Sequence, residues 1–176
     1  MNTPEKVTPG AINSVPVCQT CQSERVVRDA WACFNRDSGL WELENVYEDA
    51  HCHRCEGPTK LDWVPAETVR NQRIRDLNDL FRTEGRGNGT VLVTSGLQAE
   101  GGDFVVKAVE AVRSFDAFGE DNDPWGEHDF GAVEVDGQKV FFKFEYYDPT
   151  FTQGSENPAN EALTKRVLTI MLASEY

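Results

Sequence analysis

Two stretches of the chain concentrate residues that could do chemistry. The first is a pair of CxxC motifs, Cys18-Gln-Thr-Cys21 and Cys52-His-Arg-Cys55, separated by 30 residues. A CxxC turn is tight enough for both of its sulfurs to face one point, so two such turns can converge four thiolates tetrahedrally on a metal ion. The expectation is one structural zinc held by Cys18, Cys21, Cys52 and Cys55. Two disulfides would use the same cysteines, but a reducing compartment disfavours them; a ribbon that has lost its metal is the other alternative. His51 and His53 flank Cys52 and are read as bystanders, because the set is complete without them. Cys33 lies at a spacing that suits neither turn and is read as a core residue.

The second stretch is Asn122-Asp-Pro-Trp-Gly-Glu-His-Asp-Phe130, which holds three carboxylates, an asparagine and one of three histidines. As an enzyme site, a metal-dependent hydrolase would use His128 as acid or base together with Asp123 and Asp129. No nucleophile stands beside His128, metal-type histidine pairing is absent, and neighbours along a strand point apart. As structure, Asn-Asp-Pro is a strong turn signal, Asp123 can cap its own turn, and His128 can bridge to the segment Tyr146-Tyr147-Asp148. As a recognition surface, Asp116, Glu120, Asp121, Asp123 and Glu127 would supply charge and Trp125 an aromatic anchor. These last two readings are compatible, since a rigid loop can itself be recognised. No catalytic residue is therefore assigned, with His128, Asp123 and Asp129 as the alternative set.

Charge narrows the partners. The 176 residues carry 17 Lys+Arg against 30 Asp+Glu, a net charge of -13. Proteins that hold nucleic acid by neutralising phosphates need the opposite balance, so direct nucleic-acid binding is not expected. A protein with a basic surface is the expected partner. No apolar run reaches the roughly 18 residues of a membrane span, and the first residues lack the apolar centre of a secretion signal, so no membrane is implied and a cytoplasmic location is expected.

The elements that must position these residues follow from pattern. Residues 1–16 are polar and read as a flexible tail. Residues 17–64 read as a zinc ribbon: the segments 26–34 and 40–44 flank the turn Asn35-Arg-Asp-Ser-Gly39 and form a hairpin between the two cysteine turns. Residues 18–62 carry more acids than bases, so this ribbon is expected to be a scaffold or protein-contact module. Residues 65–176 read as an acidic α+β domain with an antiparallel sheet. A helix opening at Pro65 buries Val69, Ile74, Leu77, Leu80 and Phe81; Thr90–Thr94 is a buried strand; a second helix covers 102–115. Asp136-Gly137 closes a hairpin between 131–135 and 139–147, and Pro158 opens a last helix over 159–174.

The run NDPWGEHDFG, the segment Lys143-Phe-Glu-Tyr-Tyr-Asp148 and the closing LTKRVLTIMLASEY together resemble a bacterial family of unknown function common on plasmids and other mobile elements. The resemblance spans residues 76–176 and implies no catalytic residues. Its setting implies interference with host defences, such as an anti-CRISPR or anti-restriction factor, in which an acidic surface occupies a basic DNA-binding face of a host protein. The metal-dependent hydrolase and a structural partner protein of plasmid maintenance are the alternatives.

Overall fold

The structure is a computed structural model that describes residues 13–176. It divides into two units, one ending at Val69 and the other running Arg70–Tyr176. Residues 1–12 of the expected tail lie outside the described residues, while Ser14–Cys18 form strand β1.

In the first unit β1 pairs antiparallel with β5 (Leu61–Pro65), with Pro16 opposite Trp63 and Cys18 opposite Leu61. The apolar residues Val15 and Val17 of β1 pack with Val64 and Val69 as a small core. A longer hairpin joins β2 (Val26–Asn35) to β3 (Leu40–Cys52), and β4 (Gly57–Thr59) pairs only with the Ala50–Cys52 end of β3. Its turn is built by Asn35, whose Oδ1 accepts from the amides of Asp37 and Ser38, and by Gly39 at φ +71°. Cys33 sits on this hairpin and is exposed, contrary to the core position expected from its strand spacing. Nothing among the described residues packs over the hairpin there, so an inward-facing pattern has no inside to face.

Helix α1 (Ala66–Glu84) starts in the first unit and continues into the second. Within the second unit its buried side is Ile74, Leu77, Asn78, Phe81 and Arg82. Strand β6 (Gly89–Val93), helices α2 (Ser95–Ala99) and α3 (Gly102–Ser114), and strands β7 (Phe130–Val135), β8 (Gln138–Tyr147) and β9 (Lys165–Leu172) complete it. The sheet order is β6-β9-β8-β7, with β7, β8 and β9 antiparallel and β6 parallel to β9. The fold is α+β. Phe81, Leu97, Phe104, Ala108, Val112, Val140, Phe142 and Ile170 form its core. Asp136 and Gly137, at φ +49° and +80°, make the two-residue turn that links β7 to β8.

Two expectations for this unit are corrected. The segment expected as a final helix is a single helical turn, Glu161–Leu163, followed by strand β9. β9 is an inner strand of the sheet, and Val167, Leu168, Ile170 and Met171, which point to both of its faces, are all buried. A strand covered on both faces reads as a continuous apolar run, and such a run also satisfies helical spacing. Conversely, β6 is an edge strand that leaves Val91 and Leu92 exposed instead of buried.

Candidate functional site

The sulfurs of Cys18, Cys21, Cys52 and Cys55 all lie within 4.8 Å of one another. Cys18 Sγ is 3.9 Å from Cys55 Sγ, and Cys21 Sγ is 3.7 Å from Cys52 Sγ. Four sulfurs placed tetrahedrally at metal–sulfur bonds of about 2.3 Å stand about 3.8 Å apart. A disulfide would need about 2.05 Å. The donor set therefore fits a metal ion and does not fit two disulfides. His51 and His53 lie outside the cluster, their rings 5.6 Å apart.

The local chain explains the convergence. The first turn closes with the Gln22 amide donating to Cys18 O at 2.8 Å, and the second with the Cys55 amide donating to Cys52 Sγ at 3.4 Å. The residue after each turn, Gln22 at φ +57° and Glu56 at φ +55°, takes the left-handed conformation that redirects the chain. Burial pushes the Cys18 thiol up, but the Thr59 hydroxyl 3.1 Å away and the backbone amides of Cys21 and Thr20 outweigh it and bring it to about 6. Contact with Cys21, burial, and the neighbouring Cys18 and Cys52 push Cys55 up to about 12. The surroundings thus favour the thiolate form of Cys18, while a cation held by Cys55 must displace its proton.

Above this cluster, the β2–β3 hairpin shows its apolar residues to solvent. Trp31, Trp41 and Leu43 are 64%, 72% and 71% exposed, and Phe34, Leu40 and Val46 are also exposed. Phe34 lies opposite Trp41 in the ladder with ring centroids 5.6 Å apart, and Trp31 meets Tyr47 at 5.6 Å. The same hairpin carries Asp29, Asp37, Glu42, Glu44, Glu48 and Asp49 against Arg28 and Arg36. Large apolar side chains are thus left in solvent on both faces of the hairpin.

In the second unit the NDPWGEHDF loop is strapped to one side of α1. Asn71 Nδ2 donates to Trp125 O at 3.0 Å, Asn78 Nδ2 to Glu127 O at 2.9 Å, and Arg70 stands 3.9 Å from the Glu127 carboxylate. His128 Nδ1 donates to Asp79 Oδ2 at 2.8 Å, and its ring stacks on Phe118 with centroids 3.7 Å apart. Asp123, 8% exposed, accepts from the amides of Glu127 and His128 and lies 3.7 Å from His128 Nε2. His128 takes φ +54°, a conformation held by these contacts.

The predicted residues therefore divide. Asp116, Glu120, Asp121 and Trp125 are exposed, whereas Asp123 is buried in the loop and Glu127 faces Arg70. His128 and Asp123 are brought together. Asp129 is held above the usual carboxylate range, chiefly by burial and then by the Asp123 charge. His128 reaches α1, while the link to the Tyr146 end of β8 is made by Asn78, whose Nδ2 donates to Tyr146 Oη at 2.7 Å.

Asn71, Asn78, Asp79 and Phe118 were not expected at this site. Asn78 carried a signal: it falls on the buried stripe between Ile74 and Phe81, where an amide must find partners. The partners come from residues distant in sequence, including Arg166, whose Nε donates to Asn78 Oδ1 at 3.1 Å.

Residues 93–175 match a family described as protein of unknown function (DUF3768). The match runs from the last residue of β6 to the final turn and includes the NDPWGEHDF loop. α1 and the four-cysteine module lie outside it. No curated protein and no solved structure matches the chain. No helix among the described residues is long and apolar enough to cross a membrane.

Proposed function

We propose that this protein acts by binding: a zinc-stapled acidic module that docks on a basic surface of another protein. The observation that supports the reading is the β2–β3 hairpin, whose largest apolar side chains face solvent among six carboxylates. Aromatic side chains provide the contact area at a binding hot spot, and surrounding charge selects the partner and steers the encounter. Zinc is the ion proposed for the four cysteines, because a complete thiolate set leaves no open position for substrate and is the donor set of structural zinc. The exposed acids Asp116, Glu120 and Asp121 give the second unit the same preference for a basic partner.

Within this reading, the proposed target is a host protein whose basic face normally holds DNA, which would make the chain an anti-defence factor of a mobile element. The test is expression in bacterial hosts that carry a restriction or CRISPR system, followed by transformation with a targeted plasmid. A rise in transformants that disappears in the Trp31→Ala/Trp41→Ala double variant is the expected result. Unchanged transformation in every such host would overturn the anti-defence assignment, and duplex DNA binding by the purified protein would overturn the charge argument beneath it.

A further inference from the structure

We infer that the outer edge of β2 receives an extended, lysine- or arginine-bearing segment of a partner protein as an added strand. The inference rests on the docking reading above and names how the docking is made. β2 is the outer strand of its sheet, whose order is β2-β3-β4, and is 10 residues long. No strand among the described residues pairs with its outer side.

The two long edges of the hairpin are not equivalent. Between Arg28↔Ala50 and Ala30↔Val46 the ladder advances two residues on β2 and four on β3; between Trp31↔Asn45 and Ala32↔Leu43 it advances one on β2 and two on β3. Both irregularities therefore place their extra residues on β3. Extra residues bend a strand and break the even spacing of its outward amides and carbonyls, a common way of disabling an edge. β2 carries no such insertion, and its sequence Val-Val-Arg-Asp-Ala-Trp-Ala-Cys-Phe-Asn contains no proline and no lysine. It presents an open template where its neighbour does not.

Stability points the same way. A two-stranded hairpin with no layer packed on it is marginal in water, and a third strand is the usual remedy. Residues 27–34 and 36–49 are all exposed, so the hairpin has no such layer within the described residues of its own unit. An added strand would set alternate side chains beside Phe34, and long cationic side chains on its other face would reach across Cys33 toward Glu42, which lies opposite Cys33 on β3. A second copy of this chain would supply a strand but not the charge. Over residues 26–52 the hairpin holds Asp29, Asp37, Glu42, Glu44, Glu48 and Asp49 against Arg28 and Arg36, so two copies would repel.

The experiment uses the metal-loaded, 15N-labelled full chain and a short synthetic peptide alternating lysine and valine, with a glutamate-for-lysine peptide as control. Hydrogen exchange is read along β2 together with the indole signals of Trp31 and Trp41. Strand addition protects only the amides that point outward, which are every second residue. The expected result is exchange slowed roughly tenfold at alternate β2 positions by the lysine peptide only. The Glu42→Lys/Glu44→Lys variant should transfer the effect to the glutamate peptide. Indole shifts without alternate protection would overturn strand addition and leave face docking standing. Protection already present in peptide-free protein, with a dimer in sedimentation, would give the edge to a second copy. Neither shift nor protection would sink both the added strand and the docking surface.

Discussion

The hairpin of the first unit and the loop–helix junction of the second invert each other. The hairpin exposes Trp31, Trp41 and Leu43, while the junction buries Asn78 and Arg166 at 0% and 1% exposure. Large apolar groups outside add little to folding, so the first unit depends on its four sulfurs and a core of three buried valines. Buried polar groups inside must each find a partner, so the second unit gains a fixed geometry for the loop they hold. One unit leaves its largest apolar side chains facing solvent; the other uses buried polar side chains to place a segment of its own chain.

Breaking the first half of that comparison has the largest effect. Chelation of the ion, or Cys52→Ser, should unfold residues 14–65 and leave the second unit's melt in place, because structural zinc contributes about 10–16 kcal/mol in small modules. The check is an amide NMR spectrum before and after chelation, with metal analysis of the same sample. Loss of both units together would show that they fold as one. Metal uptake should also release protons and weaken at acid pH, because Cys55 is raised to about 12 and must ionise to bind.

The second half breaks at Asn78. Asn78→Leu keeps the volume but leaves the Arg166 guanidinium, Tyr146 Oη and Glu127 O each without one hydrogen bond. Each buried group left short of a partner costs about 1–3 kcal/mol, and with three of them a destabilisation of at least about 3 kcal/mol is expected in a denaturant melt. A change under about 1 kcal/mol would mean that water replaces the amide, as at an exposed polar site.

The sequence was most legible where one short signal determines one geometry. The paired CxxC turns, Asn35–Gly39 and Asp136-Gly137 each act within a few residues, and all appear as read. It was least legible where burial depends on what lies alongside. Leu168 to Met171 become strand because β6 and β8 flank them, Val91 lies exposed on an edge strand beyond which none of the described residues pairs, and Cys33 faces solvent because none of the described residues covers the hairpin there. At the candidate loop, residue types were readable and partners were not. His128 was recognised as a strut candidate, but Asp79 lies 49 positions away and Phe118 carries no polar signal.

His128 gives a smaller effect than Asn78, since its side chain is 23% exposed. His128→Ala should cost about 1–3 kcal/mol by unpairing Asp79. Burial raises the Asp79 carboxyl, but hydrogen bonds from His128 and Arg82 prevail and hold it below its ordinary value. A depressed carboxylate adds stability above its unfolded pKa, near 3.9, and loses it as pH falls through the lower folded value. His128→Ala should therefore flatten the acid limb of a melt-versus-pH curve below about pH 4. An unaltered limb would assign that limb to other carboxylates.

Smaller still is relief of strain at the second cysteine turn. Glu56 sits at φ +55°, where a side chain costs about 1–2 kcal/mol and glycine costs little. Glu56→Gly should raise the stability of the metal-loaded first unit by about 1 kcal/mol, read as resistance of residues 14–65 to chelator and denaturant. A loss of stability would mean that Glu56 holds a contact worth more than its strain.

The smallest expected change is the one that most sharpens the contrast between the units. Truncating a buried aromatic such as Phe142, at 0% exposure, costs about 3–5 kcal/mol, because both transfer energy and packing are lost. Trp41 is larger, yet 72% of it already faces water, so little transfer energy remains to lose. What Trp41→Ala removes is its edge contact with Phe34, and a cross-strand pair of this kind is worth about 0.2–1 kcal/mol. The melt of the variant should therefore stay within about 1 kcal/mol of the parent, while binding of the lysine-bearing peptide falls at least roughly tenfold, the loss typical of a hot-spot aromatic. A Trp41→Ala protein that unfolds easily would make the hairpin rings structural after all. One that keeps both its melt and its binding would leave the exposed aromatics without a partner.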